Sequence, residues 1–185
     1  DSVRAALVEL AAEGLVDREA NRGATVRRVS IAEAIEITEA RAALESLAAM
    51  HAARNATPEQ RRRLREIIEL MRAAVACADS DAYTVLNGEL HRLIRDASCH
   101  TIASELVENL RNRASRHQYQ LSLMPGRPEE SLPQHAVIVE AIVAGDETAA
   151  HAAMSTHLRS VTEVLRRWES LAASADGRSL LTEVR

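Results

Sequence analysis

Histidines give this sequence its clearest capacity for chemistry. Seven are present, at positions 51, 91, 100, 117, 135, 151 and 157. Asn87 and His91 are four residues apart, so they share one face of a helix. Imidazole is the commonest protein ligand of zinc and related divalent metals, and a site with three histidines keeps one position open for water or a ligand. A metal site requires that the fold bring several of these side chains together.

The segment around Gly145 and Asp146 predicts where two of the histidines meet. His135 lies ten residues before Gly145, and His157 lies eleven residues after Asp146. If two antiparallel helices are joined at this turn, the two histidines lie at the same level of the helical hairpin. The alternative is that the histidines are unrelated surface or core residues, as single histidines on bundle helices usually are.

Residues that cap helix N-termini divide the chain from residue 30 onward into six helices. Ser30 with Glu33 and Thr57 with Gln60 have the spacing of capping boxes. The predicted helices span residues 30–55, 57–77, 79–97, 101–123, 131–145 and 146–170, and the fifth is capped by Ser131. Their short connections predict an antiparallel helical bundle, so the expected fold class is all-α.

Composition agrees with a helical domain that has its own core. Hydrophobic residues make up 46% of the chain and aromatic residues only 2%, so Ala, Leu, Ile and Val must fill the core. The net charge of −4 excludes binding of nucleic acid through bulk positive charge. The sequence contains no run of about 18 apolar residues, so no membrane span is predicted. Two cysteines, Cys77 and Cys99, do not indicate a disulfide scaffold, so a cytoplasmic location is expected.

The first 29 residues predict a different unit, in the order helix, strand, tight turn, strand. An apolar helical stripe over residues 2–13 ends at Gly14, and residues 15–19 and 24–29 have strand patterns. This order is typical of the second half of a winged helix-turn-helix with a small β-hairpin, whose helix enters the major groove of DNA. Arg4 would then read guanine, Arg22 would lie against phosphate or in the minor groove, and Gly23 would allow close approach of the backbone. The alternative is an ordinary helix and hairpin with solvated arginines.

Residues 1–29 also resemble the end of the DNA-binding domain of GntR-family regulators. The runs VRAAL from residue 3, LAAEGLV from residue 10 and RGATV from residue 22 correspond to that family's V-R-E-A-L, L-x-x-E-G-L-V and R-G-x-x-V. The resemblance implies that Arg4, Arg22 and Gly23 contact DNA, although Ala5 replaces the family's usual Glu. The family's first two helices have no counterpart here. We therefore expect that an N-terminal portion is missing and that this unit alone does not bind DNA.

The region from residue 31 to about residue 170 resembles the FCD ligand-binding domain of the FadR subfamily of GntR regulators. Four motifs occur in the family's order: EARAALE from residue 39, NGELH from residue 87, QHAVI from residue 134 and AHAAMSTHL from residue 150. In that family an Asp and three His bind a divalent metal, and an organic acid effector lies over it. The resemblance implies a site for zinc, nickel or manganese with the ligands Asn87, His91, His135 and His157.

The implied site departs from the family in its charge. Asn87 replaces the usual Asp, so all four protein ligands are neutral and the metal lacks a protein counter-charge in direct contact. Weaker metal retention and a stronger demand for an anionic effector follow from this difference. The candidate effector-binding residues are Arg41 and Arg113, because a guanidinium pairs with a carboxylate. On the residues alone, a surface ion pair between Arg41 and Glu45 is an equal alternative.

Three functions are compatible with these features. The first is a homodimeric transcription repressor, in which residues 1–29 belong to the reader of operator DNA, residues 30–170 bind the metal and a small carboxylic acid, and residues 171–185 form a tail. The second is a metal-dependent hydrolase, which would need a general base beside the histidines such as H-E-x-x-H supplies. The third is a helical interaction module without metal. The four ordered motifs favour the first function, and no enzymatic activity is expected.

Overall fold

A computed structural model describes residues 2–12, 15–19, 23–114, 121, 124 and 126–174. The first described unit consists of α1 (Ser2–Ala12), β1 (Val16–Glu19) and β2 (Gly23–Val26). The two strands are antiparallel, with Val16 opposite Val26 and Glu19 opposite Gly23. This order confirms the helix and hairpin expected from the sequence, although β2 ends three residues earlier than predicted. The turn residues Asn21 and Arg22 lie outside the described residues.

The rest of the described chain forms the predicted bundle of six helices. Each connection between the first four of these helices is only two to three residues long, which keeps successive helices adjacent. The all-α fold class is therefore confirmed. The helices are α2 (Ile31–Asn55), α3 (Pro58–Ala76), α4 (Ser80–Ser98), α5 (Thr101–Arg113), α6 (Arg127–Ala144) and α7 (Glu147–Ser174).

Side chains that accept hydrogen bonds from the first turn fix most of the helix starts. The Ser30 hydroxyl accepts from the backbone N–H of Glu33 at 3.1 Å. Thr57 and Gln60 form a reciprocal capping box, with donor–acceptor distances of 3.2 and 2.9 Å. Asp79 caps α4 in the same manner by accepting from the backbone of Ala82 at 2.9 Å. These caps confirm the helix starts predicted for α2, α3 and α4.

Two predicted helix boundaries are wrong. The helix that starts at Thr101 ends at Arg113 with Ala114 as its C-cap, and not near residue 123. α6 begins at Arg127, after Gly126 in the left-handed conformation, rather than at Ser131. The sequence favoured the later start because Ser131 is a good capping residue, but Pro128 occupies the first turn of the helix and Pro133 lies inside it. α6 therefore reaches one turn further than predicted and brings Arg127 into the bundle.

Small side chains on α2 form the centre of the core. Ala48, Ala49, Ala52 and Ala53 are at most 1% exposed, and their size allows the surrounding helices to approach α2 closely. Larger apolar side chains surround them, namely Leu64, Ile67, Met71, Leu90, Ile94, Ile138, Ile142, Met154 and Leu158. None of the described helices is long and apolar enough to span a bilayer.

A second, smaller apolar cluster lies between the beginning of α2 and the later part of α7. Its buried members include Ile35 of α2 and Leu165 of α7. Trp168, Val29 and Ile31 are partly buried and pack against it. Val29 lies between β2 and α2, and Ile31 is the first residue of α2, so this cluster packs against the segment that joins the hairpin to the bundle.

Candidate metal centre

The hairpin of α6 and α7 brings two histidines into contact. Gly145 adopts a φ of 77°, a left-handed conformation that favours glycine, and ends α6. Asp146 then caps α7 by accepting from the backbone of Ala149 at 2.9 Å. Nε2 of His135 lies 3.2 Å from Nε2 of His157, at the level predicted from the number of residues on each side of the turn. The predicted meeting of these two side chains is confirmed.

His91 on α4 completes a cluster of three imidazoles. Its ring centroid lies 5.4 Å from that of His135 and 5.5 Å from that of His157. One nitrogen from each ring falls within a group whose members are all within 4.8 Å of one another. All three side chains are at most 4% exposed. Three converging nitrogens at this spacing match a divalent ion, whose bonds to imidazole are about 2.0–2.1 Å long.

A hydrogen-bonding partner holds the Nδ1 atom of each imidazole. Nδ1 of His91 lies 2.7 Å from Oε2 of Glu45. Nδ1 of His157 lies 2.9 Å from Oε1 of Gln134, an acceptor, so this nitrogen carries the proton. Nδ1 of His135 lies 3.2 Å from the hydroxyl of Tyr83. Such outer contacts fix the ring orientations of metal-binding histidines and leave Nε2 as the ligand atom.

A buried ion pair with Arg41 positions Glu45. Nε and Nη2 of Arg41 lie 2.8 and 2.7 Å from Oε1 of Glu45, and both side chains are almost fully buried. Burial alone would raise the pKa of Glu45, but the charge of Arg41 and the contact with His91 hold that pKa well below its ordinary value. Glu45 is therefore an anion that orients His91. The ion pair considered from the sequence exists, but it lies beside the site and not on the surface.

Burial also sets the protonation of the three histidines. It lowers the pKa of His135 and of His157 well below the ordinary value, and the neighbouring positive charges act in the same direction. Burial lowers the pKa of His91 as well, although the carboxylate of Glu45 opposes the shift. All three imidazoles are therefore neutral at neutral pH, which is the form that binds metals.

Asn87 lies one turn before His91 on α4 and lines the same cavity as the three histidines. Its Oδ1 atom is buried and has no hydrogen-bond partner among the described residues. A buried acceptor without a donor is rare in folded proteins and costs about 1–3 kcal/mol. A cation beside the three nitrogens would satisfy this oxygen, so the donor set fits a divalent metal.

The cavity beside the histidines has a volume of about 70 Å³. Arg41, Arg111, Arg127 and Ser131 also line it. Arg113, the second predicted effector-binding residue, is exposed and is not part of this lining. Two helical residues are separated by about 200° of rotation, so Arg111 and Arg113 lie on nearly opposite faces of α5. The structure thus brings Arg111 to the cavity where the sequence analysis had placed Arg113.

Sequence reasoning missed several residues that support the site. Glu45 was considered as a partner of Arg41, and Gln134 as part of the QHAVI motif. Neither was given a role in orienting a histidine. Arg127 was placed in the break between two helices, directly after Pro125 and Gly126, and was given no role in the site. The spacing of Gln134, directly before His135 and one α-helical hairpin away from His157, was the one signal that could have found its role.

The residues predicted to contact DNA lie in the first unit. Arg4 is exposed on α1. Gly23 has a φ of 95° at the beginning of β2, a conformation that other residues rarely adopt. Arg22 lies outside the described residues. The exposure of Arg4 is compatible with contact to a partner and does not identify that partner.

Comparisons with known proteins agree with this architecture. The FCD domain family matches residues 36–160 of the chain. The HTH-type transcriptional repressor RspR of Escherichia coli K12 is 29% identical over 165 residues, which cover 89% of this chain and 72% of RspR.

Solved structures share the fold. E. coli McbR/YncC superposes with a TM-score of 0.79 at 22% identity, covering 89% of this chain and 83% of that one. Streptococcus agalactiae GntR superposes with a TM-score of 0.60 at 22% identity, covering 87% of this chain and 80% of that one. The family match and the relatives together define a transcriptional regulator. The chain belongs to the GntR family and contains its FCD effector domain.

Proposed function

We propose that this regulator senses a small organic acid at a divalent metal held by Asn87, His91, His135 and His157. Arg111 would lie beside the acid in the cavity. Arg41 would act on the site through Glu45, which it holds against His91. Residues 30–170 would form the sensing domain, and residues 1–29 would belong to the DNA reader. Two copies would bind operator DNA as a homodimer, and the acid would change their affinity for it.

One observation supports the metal above all others. Each imidazole has its Nδ1 atom engaged by Glu45, Gln134 or Tyr83, and the remaining nitrogens of the three rings converge in one buried place. Without a cation, the 3.2 Å contact between the Nε2 atoms of His135 and His157 is favourable only when one of these nitrogens carries a proton, and the contact repels when both present lone pairs. A divalent cation removes this repulsion and also satisfies Oδ1 of Asn87.

The neutrality of the donor set supports an anionic ligand. Asn87 and the three histidines contribute no negative charge to a metal bound among them. Glu45 is the nearest buried carboxylate, but Arg41 and His91 occupy both of its oxygens. A carboxylate ligand would therefore supply the missing negative charge directly at the metal.

The same contacts favour sensing over catalysis. A metal hydrolase needs a free carboxylate or imidazole beside the metal to act as the general base. In the part of the chain that the structure describes, Glu45 is the one carboxylate in contact with a histidine of the cluster, and its ion pair with Arg41 holds its pKa low. We therefore propose a regulatory site and no enzymatic activity.

Elemental analysis of protein purified without chelators tests the metal site. We expect about one zinc, nickel or manganese ion per chain. A His135→Ala/His157→Ala variant should lose it. His151→Ala provides the matched control, because His151 is exposed on the same helix as His157 and should not affect metal content. If the unmodified protein stays free of metal after incubation with all three ions, the proposed site is wrong.

A further inference from the structure

The charge around the cavity is strongly positive. Arg41, Arg111 and Arg127 line it together with the three neutral histidines. Glu45 compensates Arg41, and Glu130 is an exposed carboxylate within 3.1 Å of Nη1 of Arg127. Two negative charges therefore oppose three positive ones, which leaves an excess of one positive charge before any metal binds. A divalent ion would raise this positive excess to three.

Arg111 contributes a guanidinium that forms no ion pair with any residue in the described part of the chain. It also makes no hydrogen bond there, although it lines the cavity and lies near Glu45 and Glu108. Burial lowers the pKa of Arg111 to about 10, which still leaves the side chain charged at neutral pH. Arg111 is partly buried, and a charge in such a place without an ion pair destabilises a protein, so its position beside a cavity points to an anionic ligand.

Arg127 also retains unused donor capacity. The side chain is 7% exposed, and its Nη2 donates to Oγ of Ser160 at 3.2 Å. Nη1 is close to Glu130 in distance, but its geometry is not that of a hydrogen bond, and this buried nitrogen has no hydrogen-bond partner among the described residues. The exposed carboxylate is a weak counter-ion because water screens it.

The two arginines reach the cavity from different helices, because Arg111 lies on α5 and Arg127 begins α6, where it donates to Ser160 of α7. The charge of Arg111 acts on His91 and Glu45. The charge of Arg127 acts on His135 and His157. One carboxylate at the centre of the cluster cannot compensate both, whereas a ligand with two separated anionic groups can direct one toward each guanidinium.

We infer that the ligand of this site is a short dicarboxylate that places one carboxylate toward Arg111 and the other toward Arg127. This inference rests on the proposed function and adds the number and placement of the ligand's charges. A cavity of about 70 Å³ favours a short acid, because it has room for roughly five water molecules. Each carboxylate gains charge-assisted hydrogen bonds from a preformed guanidinium.

Calorimetric titration with malonate and propionate tests the inference, because both acids have three carbons and differ by one carboxylate. The full chain is loaded with one equivalent of zinc, desalted and titrated at constant ionic strength, and malonate binding to free zinc is measured separately. A second charge-assisted contact is worth about ten- to a hundredfold in affinity. We expect malonate to bind more tightly than propionate by a factor in that range.

Variants assign the preference to the arginines. Arg111→Gln and Arg127→Gln should each remove most of the preference for malonate, and Arg113→Gln, two residues along the same helix as Arg111, should leave it unchanged. Circular dichroism verifies that each variant is folded, and the comparison of the two acids in the unmodified chain depends on no variant.

Three results would overturn the inference in distinguishable ways. Equal affinity for the two acids would refute the dicarboxylate but leave the acid sensor standing. Binding of neither acid to the zinc-loaded protein would refute the acid sensor itself. A preference that survives in both Arg111→Gln and Arg127→Gln would refute the assignment to these two residues.

Discussion

At the scale of single residues, the proposed site is a set of neutral donor atoms surrounded by fixed charges. The carboxamide of Asn87 and three imidazoles offer donor atoms without negative charge, while Arg41, Arg111 and Arg127 surround them. A metal bound here would depend on an external anion more than a metal bound by a carboxylate would. The charge of the ligand set should therefore control both metal affinity and acid affinity.

Asn87→Asp should strengthen the binding of metal and weaken the binding of the acid. A carboxylate at position 87 adds a negative charge in direct contact with the ion, so we expect zinc affinity to rise about tenfold or more. Malonate affinity of the zinc-loaded protein should fall, because part of the positive charge is already compensated. Competition with a fluorescent zinc chelator measures the first effect, and calorimetry measures the second.

Asn109→Asp is the matched control for this substitution. Asn109 is exposed on α5, so the same chemical change there should leave zinc affinity unaltered. Unchanged zinc affinity in Asn87→Asp itself would show that charge at position 87 does not control retention of the metal.

The buried histidines should make the metal-free protein sensitive to acid. Their pKa values in the folded protein lie below the ordinary 6.5, so below about pH 6.5 the unfolded chain takes up protons that the folded chain does not. The free energy of unfolding should therefore fall as the pH is lowered from 7 to 5. Each histidine contributes up to about 1.4 kcal/mol per pH unit.

Urea unfolding in the presence of a chelator measures this slope. Glu45 also has a lowered pKa, but its loss of stability belongs to pH values below about 4.5 and does not interfere in the range from 7 to 5. His157→Gln should reduce the slope, and the exposed His151→Ala should not. A free energy of unfolding that stays constant between pH 7 and pH 5 would mean that the histidines titrate normally.

At the scale of elements, spacing along the sequence was sufficient to predict the meeting of His135 and His157. The number of residues on each side of a helical turn fixes the level at which side chains face each other, and this rule needs no knowledge of the rest of the fold. The contact of His91 could not be derived in this way, because it depends on how α4 packs against the hairpin. The resemblance to FCD domains supplied that residue.

The charged surroundings were harder to predict than the ligands. Glu45 and Arg127 act through contacts between helices that are far apart in sequence, and burial decides whether their charges matter. Arg113 was named and Arg111 was not considered, because the packed face of α5 could not be identified from its polar sequence. A helix rotation of one or two residues reverses such an assignment.

Gly145→Ala tests how strongly the turn fixes the α6–α7 hairpin. A Cβ atom at this position would meet its neighbours at 3.7 Å, an ordinary contact, so the cost comes from the φ of 77° alone. The left-handed conformation costs about 1–2 kcal/mol for a residue with a side chain. We expect the melting temperature to fall by about 2–8 °C in a chain of this size.

Gly88→Ala is the opposite control. Gly88 lies inside α4, and a Cβ atom added there would have no described atom of the surrounding structure within 4 Å. Alanine should therefore stabilise the helix by about 0.5–1 kcal/mol. Equal effects of the two substitutions on the melting temperature would show that the turn conformation does not limit stability.

At the scale of the whole molecule, apolar packing connects the cavity beside the histidines to the segment between β2 and α2. Leu121 and Val161 line the cavity, and both also belong to or pack against the smaller apolar cluster. Val29, between β2 and α2, and Ile31, the first residue of α2, pack against the same cluster. A ligand that moves Leu121 or Val161 would therefore change the packing at the base of the hairpin, which is the connection that a ligand-controlled DNA reader requires.

Trp168 offers a direct test of this connection, because it is the single tryptophan of the chain and packs against the smaller cluster. It lies eleven residues after His157 on α7, about 16 Å along the helix axis, so it does not contact the metal ligands. Addition of zinc and then malonate should change its fluorescence emission in parallel with calorimetric binding. The His135→Ala/His157→Ala variant should give no change with zinc. If the ligands bind and the emission of Trp168 stays constant, the cluster does not respond to the cavity, and a signal from the acid must reach the hairpin by another set of contacts.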